Sequence, residues 1–419
     1  MDSREQRGLV IAALCKLKKS GKAWLVPSQT EADTVYRVDI EKKTCTCPDH
    51  EESGAPCKHI YAAEITSRRD SPAAEEAAPA VVDITPKKKV SCKQNWPAYN
   101  HAQGTEKRRV QVLLNDLCRN LLDRERPASA RGPKPHHTRD AVFAMGYKVY
   151  CGLSGRRFAS DLEEAFEKGH TDRLVPGAKV SSFFEDAYYT PILKYLIFLS
   201  AQPLRAVETQ FAIDSSGFGS SRYERWFDKK YGVTKLRCKW TKVHIACGVK
   251  TNIVTAVRIL DEHTHDGTQF VPLVRETRQT FDVSEVSADK AYGSAENFEE
   301  IASFGAQAFI AFKSNATGAI GGEYEKAFHF FKFNEQEYMD RYHRRSNVES
   351  TFSAIKRKFG DSVMSKTDTA MTNEVLCKIL MHNLTVLIQE QETLGIAPIF
   401  WKDDTANIDD YRALLPMTR

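Results

Sequence analysis

Four reactive or charged side chains recur at helical spacing towards the C-terminal end of the sequence. They are Tyr342, Arg345, Glu349 and Lys356, separated by three, four and seven residues. In an α-helix of 3.6 residues per turn, these steps bring all four side chains close to one face. A carboxylate with two cations and a phenol suits a metal beside a phosphodiester, with the cations directed at phosphate oxygens. A solvated helix face with an i,i+4 Arg–Glu pair is the alternative.

Two upstream aspartates could supply further carboxylates. Asp214 follows an apolar run that predicts a strand, Asp289 follows another, and we expect each aspartate to end its strand. Acids at strand ends lie where a sheet meets its loops. Together with Glu349 they would repel one another unless divalent cations such as Mg²⁺ neutralise them. Each aspartate alone could instead be a helix cap or a turn residue.

A second group of potential ligands lies near the N-terminus. Cys45, Cys47, Cys57 and His59 form a Cys-x-Cys pair and a Cys-x-His pair. Three thiolates and one imidazole in a closed set of four favour a tetrahedral, structural Zn²⁺. Redox-active thiols are the alternative, and His50 could be a substitute ligand.

The elements that would position these groups include an all-α part and an α/β part. A short helix over 5–19 and strands over 24–26 and 34–40 precede the cysteines. Helical periodicity over 106–124 and helices across 138–200 predict an all-α segment with the size of a helix-turn-helix assembly. From residue 210 the pattern predicts the order β-β-β-α-β-α-β, followed by helices. The predicted strands are 211–214, 242–249, 253–260, 283–289 and 308–312, and the helices between them are near 267–279 and 294–304.

Composition and charge limit the class of protein. The 419 residues, 42% of them hydrophobic, are enough for about two to four globular domains. No signal peptide or membrane span is visible, and the isolated cysteines fit a reducing compartment, so we expect a cytoplasmic protein. Between Lys87 and Arg139 there are 13 Lys and Arg against 4 Asp and Glu, which indicates a polyanionic partner. Within the predicted flexible linker, Lys87–Lys89 could be a DNA contact or a solvated patch.

Two parts of the sequence resemble known protein families. Trp24-Leu-Val-Pro-Ser28, Tyr36-Arg-Val38 and the cysteine–histidine pairs resemble the SWIM zinc-finger family over roughly 20–65. That resemblance implies binding of nucleic acid or protein. Over roughly 130–390, the two aspartates and the complete Tyr-x2-Arg-x3-Glu-x6-Lys spacing resemble the DDE transposases of bacterial and archaeal insertion sequences that carry this signature. Their catalytic fold is ribonuclease-H-like, an α/β domain with a mixed sheet and flanking helices.

The second resemblance implies roles for individual residues. It assigns Asp214 to two cations, Mg²⁺ or Mn²⁺, and Asp289 and Glu349 to one cation each. Arg345 and Lys356 would hold DNA phosphates near the cleaved end, and Tyr342 would contact the same backbone. The implied activity is cleavage of element ends and joining of the 3′-OH to target double-stranded DNA, by a homodimer associated with the nucleoid.

The sequence leaves alternatives open for the function and for several residues. A non-catalytic DNA- or protein-binding zinc-finger factor and a ribonuclease-H-like nuclease without joining activity are the alternative functions. Ser215 and Ser216 could line the site or be turn residues. His263 and His265 could suggest a metal or be solvated, and Lys313-Ser-Asn315 could contact DNA.

The predicted domains are a zinc module (1–65), a linker (66–100), a helical DNA-binding region (101–205), a catalytic domain (206–390) and a C-terminal tail (391–419).

Overall fold

The structure, a computed structural model, describes most of the chain in two compact units. The described residues are 3–15, 17–29, 34–69, 95–125, 131–132, 134–220, 240–260, 266–313 and 315–401. The first unit comprises Met1–Cys92 and the second Lys93–Arg419. Among the described residues, no helix has the length and apolar character needed to cross a membrane.

Within its described residues, the first unit is a small antiparallel sheet with three helices. Its strands are β1 (Lys18–Ser20), β2 (Ala23–Pro27), β3 (Val35–Asp39) and β4 (Thr44–Cys45), and its helices are α1 (Ser3–Leu14), α2 (Pro48–Ser53) and α3 (Lys58–Arg69). Alternate residues such as Trp24 and Val26 point into a core of their own. The predicted helix over 5–19 is too long, because residues 18–20 pair with β2 as an edge strand.

The second unit begins with helices that surround one long C-terminal helix. They are α4 (Trp96–Cys118), α5 (Thr138–Cys151), α6 (Ala159–Glu167), α7 (Val180–Glu185) and α8 (Tyr189–Ala201). The Asn95 side chain caps α4, so this helix starts ten residues before its predicted start. The helices over 138–200 agree with the sequence pattern.

A five-stranded mixed sheet follows these helices. Its strands are β5 (Gln210–Gly219), β6 (Trp240–Gly248), β7 (Val254–Leu260), β8 (Glu285–Ala288) and β9 (Gln307–Ile310), in the spatial order β7-β6-β5-β8-β9. The pairs β5–β6 and β6–β7 are antiparallel, whereas β5–β8 and β8–β9 are parallel. Helices α9 (Phe270–Arg278) and α10 (Ala295–Ser303) connect the strands that become parallel. The predicted α/β mixed sheet with flanking helices is confirmed.

The chain then returns to helices: α11 (Gly322–Phe333), α12 (Glu335–Tyr342), α13 (Ser346–Phe359) and α14 (Asp368–Leu394). Helix α14 is buried on most of its sides: every residue from Val375 to Leu384 is buried, including the polar Lys378, His382 and Asn383. Phe143 of α5, Phe211 of β5 and Leu380 of α14 belong to one hydrophobic core. The change near residue 205 is therefore a change of secondary structure within a shared core.

Candidate active site and metal centre

The two aspartates lie side by side on neighbouring parallel strands. Ile213 of β5 is paired in register with Ala288 of β8, Asp214 is the next residue of β5, and Asp289 is the first residue after β8. Asp289 directly follows β8, as predicted. The prediction that Asp214 ends its strand is wrong, because β6 continues to pair with β5 as far as Gly219. Strand β5 thus extends beyond the end of β8, and Asp214 lies at the point where the parallel pairing stops.

Ser215 and Ser216 are strand residues and not turn residues, since both pair with β6. The Ser215 backbone N–H donates to Oδ1 of Asp214 over 2.8 Å. Both serines line the same groove as Asp214. The reading that these serines line the site is therefore the one that the geometry supports.

The tyrosine, arginine, glutamate and lysine do not share one helix. Tyr342 is the last residue of α12, Arg345 lies in the 3-10 turn His343–Arg345, and Glu349 and Lys356 lie on α13. The turn tightens the backbone between two α-helices, so the prediction of one uninterrupted α-helix is wrong for its first half, although Arg345 and Glu349 still meet on one side of the segment. A periodicity argument assumes uniform α-helical geometry and does not detect a 3-10 turn.

Arg345 joins two of the carboxylates. Its Nη1 donates to Oδ2 of Asp214 over 2.9 Å, and its Nη2 donates to Oε1 of Glu349 over 2.5 Å. The Arg345 and Asp214 side chains are only 20% and 21% exposed, whereas Glu349 is 54% exposed. Asp289 and Tyr342 also interact electrostatically with Arg345. The sheet and the two helices thus bring five of the predicted site residues into one neighbourhood.

The electrostatics of Asp214 reflect this crowding of carboxylates. Burial raises the pKa of Asp214, and the negative charges of Asp289 and Glu349 act in the same direction. The Ser215 N–H and the Arg345 guanidinium oppose that shift of the pKa. A site that gathers acids in this way favours a bound cation.

A groove of about 630 Å³ opens beside these acids. It is lined by Asp214, Ser215, Ser216, Glu349, Phe352, Ser353, Lys356, Arg357 and Asp361. The Lys356 ammonium donates to Oγ of Ser216 over 2.7 Å and lies 5.2 Å from the centroid of the Phe218 ring. Burial lowers the pKa of Lys356, whereas the charge of Asp361 raises it. Neither Arg357 nor Asp361 was predicted as a site residue from the sequence, although both are close in sequence to Lys356.

Helix α13 is held against the sheet by its apolar face. Its buried residues are Val348, Thr351, Phe352 and Ile355, at the i, i+3, i+4, i+7 spacing of an amphipathic helix. The Thr351 hydroxyl contacts Sγ of Cys247 at 3.6 Å, and the Asn347 amide donates to the Val249 carbonyl. This packing fixes the rotation of the helix and leaves Glu349 outside its buried face.

The loop after α13 is fixed by a buried cation of α14. The Lys378 side chain is 2% exposed, and its ammonium donates to the carbonyls of Gly360 and Ser362 over 3.1 and 2.6 Å. The Glu374 carboxylate accepts hydrogen bonds from the backbone N–H groups of Met364 and Ser365. These contacts hold the segment that carries Asp361 at one end of the groove.

The predicted zinc ligands form a buried cluster in the first unit. The ligand atoms of Cys45, Cys47, Cys57 and His59 all lie within 4.8 Å of one another. Nδ1 of His59 is 3.9 Å from Sγ of Cys45 and 3.8 Å from Sγ of Cys57. These separations are close to the edge of a zinc-centred tetrahedron, which is roughly 3.5 Å for the usual Zn–S and Zn–N bonds. The hydrogen bond between the two thiols lowers the pKa of Cys57 and raises the pKa of Cys45, as expected of closely packed cysteines.

Other candidate residues have different positions. His50 is outside the cluster, and its Nδ1 donates to the Ala55 carbonyl over 2.8 Å. His263, His265, Lys87–Lys89 and Ser314 lie outside the described residues. The Arg109 guanidinium in the basic stretch is bonded to Glu392 and Gln391.

Two known families match parts of this sequence. The transposase DDE domain family matches residues 205–384, which include Asp214, Asp289 and Glu349. The SWIM zinc finger family matches residues 36–67, which include all four ligands of the cluster. No curated protein matches the sequence. The chain carries a DDE transposase domain in its C-terminal half and a SWIM zinc finger at its N-terminal end.

Proposed function

We propose that this protein is a DNA transposase that binds the ends of an insertion sequence, cleaves them and joins the 3′-OH to target DNA. The observation that carries the proposal is that Asp214 and Asp289 each follow the last pair of the parallel strands β5 and β8, with Glu349 linked to Asp214 through Arg345. A DDE transposase domain supports transposase activity and DNA as the partner. The order of cleavage and joining is our proposal.

The carboxylates fit divalent metal ions by their chemistry. All three offer hard oxygen ligands, and the Arg345 guanidinium shows that one positive group can contact Asp214 and Glu349 together. Asp214 would serve two ions, Mg²⁺ or Mn²⁺, with Asp289 and Glu349 each completing one coordination shell. Such ions, when bound, stabilise the attacking and leaving oxygens of an in-line phosphoryl displacement.

The neighbouring side chains would bind and orient the DNA. Arg345 can offer guanidinium N–H groups to a phosphate, because it lies next to the acids and retains partial exposure. The Lys356 ammonium lines the groove beyond Glu349 and can neutralise a second phosphate. Tyr342 would contact the same backbone. Water would be the first nucleophile and the freed 3′-OH the second, so no covalent protein–DNA intermediate is required.

The remaining parts would support assembly on DNA. We propose that the helices within residues 101–205 contact element-end DNA and that a homodimer holds two ends. The zinc finger would bind DNA or protein, and one Zn²⁺ would be held by its four ligands. These roles place the protein with the DNA of the nucleoid in the cytoplasm.

A strand-transfer assay tests the proposal. The full-length protein is incubated with Mg²⁺, a target plasmid and pre-cut duplexes taken from the DNA that flanks the gene. We expect joined products with the native protein and none with Asp289→Asn. Cleavage without joining would instead support the nuclease. DNA binding without either reaction, and unaffected by Asp289→Asn, would support the non-catalytic zinc-finger factor.

A further inference from the structure

A second cleft lies at the other side of β5 from Asp289. It has a volume of about 950 Å³ and is bounded by α8, β7, α9 and the segment Ile399–Phe400. Strand β7 is two positions away from β5 in the sheet order, which corresponds to about 10 Å at the usual strand spacing. None of the residues that line this cleft lines the groove beside Glu349. The two surfaces are therefore distinct.

Positive side chains from four different elements converge on this cleft. They are Lys194 of α8, Arg205 after α8, Arg258 of β7 and Arg275 of α9. Among the described residues that line the cleft, Glu276 is the one carboxylate. Such a local excess of positive charge in a concave surface attracts anionic ligands.

The ion pairs within the described residues leave part of this charge uncompensated. Nη2 of Arg258 lies 3.6 Å from Oε2 of Glu276, and Nη2 of Arg275 lies 2.6 Å from Oε1 of Glu300. Lys194 and Arg205 have no ion-pair partner in the part of the chain that the structure describes. Burial lowers the pKa of Lys194, the positive charge of Arg258 adds to this effect, and the negative charge of Glu276 opposes it. Nearby negative charge from a ligand would reverse that penalty.

One buried donor in the same place is also unsatisfied. Nε of Arg258 is buried and has no hydrogen-bond partner among the described residues. A buried N–H without an acceptor is unfavourable, so native proteins usually provide an acceptor from protein, water or ligand. An oxyanion in the cleft would supply acceptors for the accessible donors of Lys194, Arg205 and Arg258, since the Arg258 side chain as a whole is 40% exposed.

We infer that this cleft is a second DNA-binding surface, at which Lys194, Arg205 and Arg258 contact phosphodiester groups away from the bond that is cut. The inference rests on the proposed function in that the partner is double-stranded DNA. The cations are spread over four elements along an open cleft, with Arg205 and Arg275 exposed. Cations that remain partly exposed on four separate elements can each contact a different phosphate of one duplex.

The test measures how duplex binding depends on salt. The full-length Lys194→Ala/Arg205→Ala variant is titrated with a fluorescent duplex of unrelated sequence over a range of salt concentrations. Loss of two phosphate contacts should reduce the slope of log K against log salt by about 2. Lys326→Ala is the matched control, because Lys326 is exposed and paired with Glu323 on α11. It should leave the slope unchanged.

Other outcomes would overturn the inference. An unchanged salt slope of duplex binding in the folded double variant would overturn it. If that variant also binds inorganic phosphate or ATP more weakly while its duplex slope is unchanged, the cleft is a small-anion site and not a DNA-binding surface. If the double variant does not fold, Arg205→Ala alone should still reduce the slope by about 1, since Arg205 is exposed. A reduced slope in a protein without strand-transfer activity would support the cleft and reject only the proposed reaction.

Discussion

The guanidinium of Arg345 donates to the carboxylate of Asp214 over 2.9 Å, across 131 residues of sequence. This contact joins the turn before α13 to the strand at the centre of the mixed sheet. Arg345 also bonds to Glu349, so one side chain relates the helical carboxylate to the strand carboxylate. The Arg345 guanidinium therefore holds Asp214 and Glu349 together, as a bound cation would.

Removal of this group should make the fold more dependent on metal. Arg345→Ala leaves Asp214 close to Asp289 and Glu349 without the compensating charge, and should lower the free energy of unfolding by about 2 kcal/mol. Mg²⁺ or Mn²⁺ should restore more of the lost stability in this variant than it adds to the native protein. Thermal unfolding with and without metal measures both effects.

Arg344→Ala is the control for that experiment. Arg344 is adjacent in sequence, but it bonds to Glu285 over 2.7 Å and does not bridge the proposed metal ligands. The Arg344→Ala variant should be less stable than the native protein, but Mg²⁺ or Mn²⁺ should stabilise it no more than they stabilise the native protein. An equal metal response in the two variants would contradict a compensating role for Arg345.

The zinc finger should unfold without affecting the second unit. Cys57→Ser removes one of four ligands from a cluster that lies within the core of the first unit. Because so small a core depends on its metal, residues 36–67 should lose protection from hydrogen exchange. The second unit has its own core, so its thermal transition should remain. Loss of that transition in the variant would show that the two units do not fold independently.

Two adjacent arginines in the basic stretch should differ in their roles. The Arg109 guanidinium donates to Glu392 and Gln391 over 2.5 and 2.7 Å, whereas Arg108 is exposed. Arg109→Ala should therefore lower the free energy of unfolding by about 1–2 kcal/mol. Arg108→Ala should leave stability unchanged and reduce the salt slope of DNA binding by about 1 if this stretch contacts phosphates. An unaltered slope in Arg108→Ala would mark its position as a solvated surface.

Local patterns were sufficient for much of the fold. The order β-β-β-α-β-α-β is visible in the sequence because strand and helix periods differ, and β7 and β8 begin within two residues of their predicted starts. The zinc ligands were also predictable, because all four are close in sequence and their types define the metal.

Contacts between distant segments were not predictable in the same way. The continuation of β5 beyond Asp214 depends on its pairing with β6, which no pattern within β5 reveals. The 3-10 turn at His343–Arg345 interrupts a sequence that is compatible with one helix. The basic cleft combines Lys194, Arg258 and Arg275 from three elements, so it exists only after the sheet and helices have packed.

Acid should destabilise the second unit through His382. This histidine is buried, its Nε2 donates to the Asn252 carbonyl over 2.9 Å, and burial lowers its pKa to about 4. The folded pKa is below the unfolded value of about 6.5, so the unfolded chain takes up a proton first as pH falls. Between pH 7 and 5 this residue should cost about 2 kcal/mol of stability. His382→Gln should remove that part of the pH dependence in denaturant titrations, and an unchanged dependence would exclude His382 as its source.

Glu349 and Lys356 should fail in different ways, although both lie on α13. Glu349→Gln keeps the shape of the side chain but weakens one metal-binding shell, so cleavage and joining should be lost. Binding of element-end DNA should persist or strengthen, because a negative charge near the phosphates is removed.

Lys356→Ala leaves the three carboxylates in place and removes an ammonium that lines the groove beside Ser216. Engagement of the DNA end should weaken, and part of the loss should be recovered at low salt, where the remaining cations attract DNA more strongly. Binding and strand transfer measured over a salt series separate the two effects. An equal and salt-insensitive loss of chemistry in both variants, with unaltered DNA binding in each, would refute the division between a metal ligand and a phosphate-binding residue along this helix.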